Sequence, residues 1–157
     1  MANLLVGIHA ALGEFGIFAF LWVLIELLNP TEQRIKRAKI AAVIGVILLF
    51  LSWLVGGYYY VSYYGANVKS IIKSGPEPWA HSVFMETKEH VFLFLPFLSM
   101  LTVAMIYQYN KKLLKDDKAR KSIILLSGLI VLFGLAMAGM GYIISSGART
   151  SLEAGIK

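Results

Sequence analysis

Side chains that can ligate metals or move protons are concentrated in one stretch of this chain. The stretch PWAHSVFMETKEHVF (78–92) contains His81, Glu86, Glu89 and His90 and lies directly before a long apolar run. Imidazole and carboxylate groups bind iron, copper and zinc, and a histidine can be an axial ligand of haem. The chain has no cysteine, so thiolate sites, disulfides and covalently attached haem are excluded.

Helical periodicity divides these side chains between two faces. Successive residues of an α-helix turn by about 100°, so Glu86 and His90 share a face while His81 and Lys88 fall nearly opposite. Glu86 is one turn from His90 and is placed to orient its ring or to share a metal. We expect His81 and Lys88 to lie near the outer membrane interface, where a lysine can extend to water.

A third histidine, His9, is expected at the same depth as His90. Each lies about 19 residues, or about 28 Å, from the basic end of its apolar run. Gly13 and Gly16 fall on the His9 face of the first run and would leave a groove for a flat ligand. This pattern predicts His9 and His90 as opposed axial ligands of haem b, with Gly13 and Gly16 lining the pocket. The His-bearing spans and their small residues resemble four-helix membrane b-type cytochromes in architecture alone.

Four long apolar runs would position these residues. The 157 residues are 58% hydrophobic and only 15% charged, with a mean hydropathy of +0.70, which is typical of a membrane protein rather than a soluble domain. Each run approaches the ~20 residues that a helix needs to cross ~30 Å of hydrocarbon. The predicted spans, within a single domain over 1–157, cover about 4–28, 40–60, 80–109 and 123–145.

Basic residues mark the expected topology. Ten of the fifteen Lys and Arg residues lie in the predicted loops 29–39 and 110–122. The positive-inside rule places these loops in the cytoplasm, and loop 61–79 and both termini outside. We therefore predict an all-α integral membrane protein with four transmembrane helices in an antiparallel up-down bundle, in a prokaryotic inner (cytoplasmic) membrane. The net charge of +6 follows from these loops, and no nucleic-acid partner is expected.

The first run and its neighbours contain further polar residues. The run has no basic residue before it and contains Glu14 and Glu26, so we expect a retained span rather than a cleaved signal. Glu14 is costly in hydrocarbon unless it is paired, whereas Arg34 or Lys36 can neutralise Glu26. The tyrosines of WLVGGYYYVSYYG (53–65) fit an aromatic belt at the outer interface.

Three functions remain open from the sequence. The first is a haem b electron-transfer protein whose site lies in the outer half of the bundle, with quinol or a redox protein as partner at the outer face. The second is a cofactor-free accessory or structural subunit of a respiratory-type membrane complex, or a homo-oligomer. In both, the chain is an electron carrier or a subunit of an oxidoreductase complex rather than a stand-alone enzyme. The third is a non-haem iron, copper or zinc site with ligands from His9, His81, Glu86, Glu89 and His90.

Overall fold

The computed structural model describes residues 2–156, and every regular element in that range is a helix. We number the α-helices α1 (Ala2–Leu28), α2 (Glu32–Tyr59), α3 (Lys69–Ser74), α4 (Glu86–Phe92), α5 (Phe94–Tyr109) and α6 (Asp117–Glu153). Two π-helical turns, Tyr60–Tyr64 and Ala80–Met85, and one 3₁₀ turn, Asn110–Leu114, extend the long helices. A single α-helical turn, Gly65–Asn67, follows the first π-helical turn.

Four continuous helical segments are long and apolar enough to cross a membrane. They are Asn3–Leu28, Glu32–Asn67, Ala80–Leu114 and Asp117–Glu153. The prediction of four apolar membrane-crossing helices is confirmed. Large apolar side chains such as Phe18, Phe97 and Leu132 are exposed on the outside of the helices, which suits contact with a lipid bilayer.

Two of the long helices begin before their apolar runs because capping residues start them early. Thr31 accepts a hydrogen bond from the backbone N–H of Arg34 at 3.2 Å, and α2 therefore starts at Glu32. Asp116 accepts one from the backbone N–H of Ala119 at 3.0 Å, at the start of α6. Such caps satisfy N–H groups that have no partner in the first helical turn. Most of the basic residues between the apolar runs consequently lie in helix.

The helices pack around one main hydrophobic core. α1 packs mainly against α2 and α6, and α5 packs mainly against the same two helices. Phe20, Leu49, Ile106, Ile123 and Ile130 are among the fully or almost fully buried residues of this core. A second, smaller core contains Tyr64, Ile72, Ala80 and Ile144, and it includes both π-helical turns.

Glycines set how closely the helices approach. A Cβ atom at Gly45 of α2 would lie 2.7 Å from Cε2 of Phe20 on α1. A Cβ at Gly134 of α6 would clash with the side chain of Ile17, which is also on α1. Close helix contact through small residues is the usual packing mode of membrane helices.

Candidate functional site

Two π-helical turns meet where the second and third long segments approach each other. Tyr64 lies in the first turn and His81 in the second. The Tyr64 hydroxyl and His81 Nδ1 are 2.9 Å apart, and both residues are almost completely buried. π-Helical turns are rare and occur frequently at functional sites. We call the group formed by His81, Tyr60, Tyr64, Glu86 and Glu89 the His81 cluster.

Two buried polar atoms of the His81 cluster have no hydrogen-bond partner among the described residues. One is His81 Nε2, on a residue that is 1% exposed, and the other is Glu89 Oε1. The nearest acidic atom to His81 Nε2 is Glu86 Oε1 at 3.9 Å, which is too far for a direct hydrogen bond. The Tyr60 hydroxyl hydrogen-bonds the Glu89 carboxylate, which leaves Oε1 as the unpaired oxygen, and the Tyr64 hydroxyl lies within electrostatic range of Glu89. Buried polar groups are almost always paired in native proteins, so these atoms are the clearest sign of a binding site in residues 2–156.

His9 lies at the contact between α1 and α2. Its Nδ1 atom donates a hydrogen bond to the backbone oxygen of Ser52 at 2.8 Å, and Ser52 Oγ donates to the backbone oxygen of His9 at 2.8 Å. The imidazole ring also lies against Gly56, where an added Cβ would be 2.6 Å from Nδ1. The ring therefore joins the two helices through hydrogen bonds and close packing.

The groove expected beside Gly13 and Gly16 is filled by α2. An added Cβ at Gly13 would lie 3.2 Å from Ser52 Oγ, and one at Gly16 would lie 2.9 Å from the side chain of Leu49. In the structure, these glycines permit helix contact.

His90 is exposed on the surface of the third segment. Its Nδ1 atom donates to the backbone oxygen of Glu86 at 2.7 Å. The side chain lines a shallow hollow together with Ser82, Val83, Glu86 and Thr87. The structure therefore places His90 on the surface, whereas His9 lies at the contact between α1 and α2.

The predicted metal ligands are also dispersed. In the part of the chain that the structure describes, no three His, Asp or Glu side chains lie close enough together to hold a metal ion. Of the five predicted ligands, the structure brings His81 near Glu86, and places His9 and His90 in separate surroundings. The haem and metal sites stay predictions.

Lys88 turns inward and Glu14 turns outward. Lys88 is half-buried, and its Nζ atom would be 3.1 Å from a Cβ added at Gly141 of α6.

Glu14 is exposed on α1 and makes no hydrogen bond or ion pair with any residue that the structure describes. The exposed residue Phe15 lies beside it. Glu14 is therefore an unpaired carboxyl group on an apolar surface.

Glu26 is the centre of a buried ion-pair network. Its carboxylate accepts hydrogen bonds from Arg34 Nε at 2.8 Å, Arg37 Nε at 2.6 Å and Trp22 Nε1 at 2.9 Å. Arg34 is one of the two partners that the sequence predicts for Glu26. The second partner in the structure is Arg37, in place of Lys36.

The tyrosines of the His81 cluster are the residues that sequence reasoning missed. Tyr60 and Tyr64 fit an interfacial belt, and α-helical spacing places His81 on a different face from Glu86. A π-helical turn instead hydrogen-bonds residues five apart, which is the separation of these two residues in the sequence. The structure consequently buries His81 beside Tyr64 rather than exposing it at the membrane interface.

Four long apolar helices with an apolar outer surface define a multi-pass helical membrane protein. No protein-family model, curated protein or solved structure matches the chain.

Proposed function

We propose that the protein is a cofactor-free accessory or structural subunit of a larger, respiratory-type membrane complex. The observation that carries this proposal is the exposed Glu14 on α1, which has no partner within residues 2–156. Glu14 lies about three helical turns from Glu26, which is close to the basic end of the helix. This distance puts Glu14 well inside the hydrocarbon rather than at an interface.

A carboxylate at this depth requires a compensating partner. Translocon-based scales give a cost of about 2.5–3.5 kcal/mol for a charged residue at the centre of a membrane helix. Gly7 and Ala11 are exposed on the same face as Glu14, and small residues let a second helix come close. The proposed partner is a transmembrane helix of another subunit that carries a Lys, Arg, His or amide side chain at the depth of Glu14.

The proposed orientation is an antiparallel up-down bundle with both termini on the outer side of a prokaryotic inner membrane. Its support comes from the paired contacts of α1 and α2, in which Gly16 meets Leu49 and Phe20 meets Gly45. Because residue numbers rise along α1 as they fall along α2, these two helices run antiparallel. The basic residues beside Glu26 support a cytoplasmic position for that end.

Photocrosslinking from Ala11 tests the partner proposal. The chain has no cysteine, so Ala11→Cys carries a benzophenone maleimide at one site. In native host membranes we expect a discrete protein adduct whose yield falls at least severalfold with Glu14→Leu. Replacing the basic or amide residue of the captured helix by leucine should lower the yield equally.

The matched control is Leu132→Cys, which places the same probe at an exposed position of α6. We expect lipid adducts there. Lipid adducts alone at position 11 would contradict the proposal. An adduct with twice the mass of the chain would show that the partner helix belongs to a second copy of this protein and not to another subunit.

An absorption spectrum separates this function from haem-dependent electron transfer. Protein purified in mild detergent from haem-replete cells is expected to show no Soret or α-band, because α2 fills the groove beside Gly13 and Gly16 that a porphyrin would occupy. Bands that disappear in both His9→Ala and His90→Ala but persist in His81→Ala would contradict the cofactor-free proposal and favour haem b.

A further inference from the structure

The hydrogen bond between Tyr64 and His81 determines which ring nitrogen of His81 carries a proton. The Tyr64 hydroxyl and His81 Nδ1 form a buried hydrogen bond, and we assign the phenol as its donor because this pairs the one O–H group of Tyr64. Nδ1 is then the acceptor, so the proton of the neutral ring is on Nε2. His81 Nε2–H is therefore a buried donor without an acceptor among the described residues.

Glu89 supplies the complementary group. Its Oε1 atom is buried without a hydrogen-bond partner in residues 2–156, and an ionised carboxylate can only accept. A group that satisfies both atoms must accept from His81 and donate to Glu89. A hydroxyl group does both, whereas a metal ion would have to displace the Nε2 proton and a simple anion cannot donate.

A shallow hollow lies on the surface beside the His81 cluster. Glu86 lines the shallow hollow and is also 3.9 Å from His81 Nε2. Its side chain is 56% exposed and makes no hydrogen bond within the described part of the chain.

Aromatic and apolar side chains surround the same place. The Tyr64 ring is 5.9 Å from the His81 ring and stacks on Tyr60 at 5.4 Å. Val83 lines the hollow and is exposed. A flat ring that carries a hydroxyl group suits these surroundings, and a lipid tail could remain in the bilayer beside the apolar helix.

We propose that the His81 cluster binds a lipid-soluble hydroquinone, with one ring hydroxyl accepting from His81 Nε2–H and donating to the Glu89 carboxylate. The site involves no electron transfer by the chain itself. It goes beyond the proposed subunit role and does not depend on it, because Glu14 and the His81 cluster lie on different helices.

Calorimetric titration of the whole chain with decylubiquinol under argon tests this site. The chain is placed in nanodiscs of phosphatidylcholine, whose headgroup has no hydroxyl, and empty nanodiscs give the background. We expect saturable binding of decylubiquinol and no saturable binding of its dimethyl ether, in which both hydroxyls are capped. Absence of saturable binding, or equal binding of the ether, would overturn the proposal and leave water as the group at these atoms.

Three variants locate the bound hydroxyl. Glu89→Gln and His81→Phe should each raise the dissociation constant at least about tenfold, because the first removes the charge of the acceptor and the second removes the buried donor. Glu153→Gln changes an exposed carboxylate in the last turn of α6 and should leave the constant unchanged. If His81→Phe does not fold, the Glu89→Gln variant alone tests the site. Wild-type affinity for decylubiquinol in Glu89→Gln would refute the proposal.

Discussion

Replacing Gly45 by alanine is expected to destabilise the protein by about 1–3 kcal/mol, the usual cost of an overpacked core. The new Cβ atom would lie 2.7 Å from Cε2 of Phe20 and 3.2 Å from the Cβ of Ala19. Phe20 is fully buried in the main core, so its ring has no free space to move into. Either α1 and α2 separate or the core repacks. A lower SDS fraction at the unfolding midpoint in mixed micelles would measure the loss.

Gly57→Ala is the matched control in the same helix. A Cβ at Gly57 meets nothing within 4 Å, and alanine is intrinsically better than glycine in a helix by about 1 kcal/mol. The Gly57 variant should therefore be as stable as the wild type or more so. Equal destabilisation at both positions would show that backbone effects, and not the contact with Phe20, determine the response.

The sequence identifies the membrane-crossing helices because burial in lipid requires a long apolar run. Helix ends follow a different rule. α2 starts at Glu32 and α6 at Asp117 because Thr31 and Asp116 cap them, although apolar residues begin several positions later. Hydropathy marks the expected hydrocarbon, while hydrogen bonding of the first backbone N–H groups determines where a helix begins.

The candidate site is harder to predict than the helices, because the depth of a residue along its helix does not determine which other residues it contacts. Counting residues predicts His9 and His90 at one level but leaves open which helix each ring faces. The structure directs His9 at Ser52 and leaves His90 exposed. That outcome depends on which helices are adjacent, and small residues on several helices permit more than one arrangement.

The π-helical turns introduce a second difficulty. A turn with hydrogen bonds between residues five apart shifts every later side chain relative to an α-helical wheel. His81 lies within such a turn, between Ala80 and Met85, and its burial cannot be read from α-helical periodicity. Individual residue types in this stretch do not reveal the turn, and its contacts with Tyr64 and α6 involve residues outside the stretch.

Among substitutions that remove a charge from the bundle, Glu26→Gln is expected to lower the free energy of unfolding the most. The substitution retains the size of the side chain and one possible hydrogen bond from Trp22, but it removes the charge that Arg34 and Arg37 share. Hydrogen bonds to charged groups contribute about 1.5–3 kcal/mol each. Because both arginines are partly exposed, we expect the free energy of unfolding to fall by only about 2 kcal/mol in total, near the lower end of that range. The same SDS titration measures it.

Lys36→Gln is the control, since it removes a positive charge from the same helical turn without touching Glu26. We expect it to leave stability almost unchanged, whereas Arg37→Gln should lower stability and make a subsequent Glu26→Gln change less harmful.

A double-mutant cycle for Glu26 and Arg37 isolates this coupling. Because Glu26 is buried, the coupling should persist at high ionic strength, where exposed ion pairs are screened. A coupling that vanishes in salt would instead assign the two arginines to the membrane surface, as topology signals that do not stabilise the bundle.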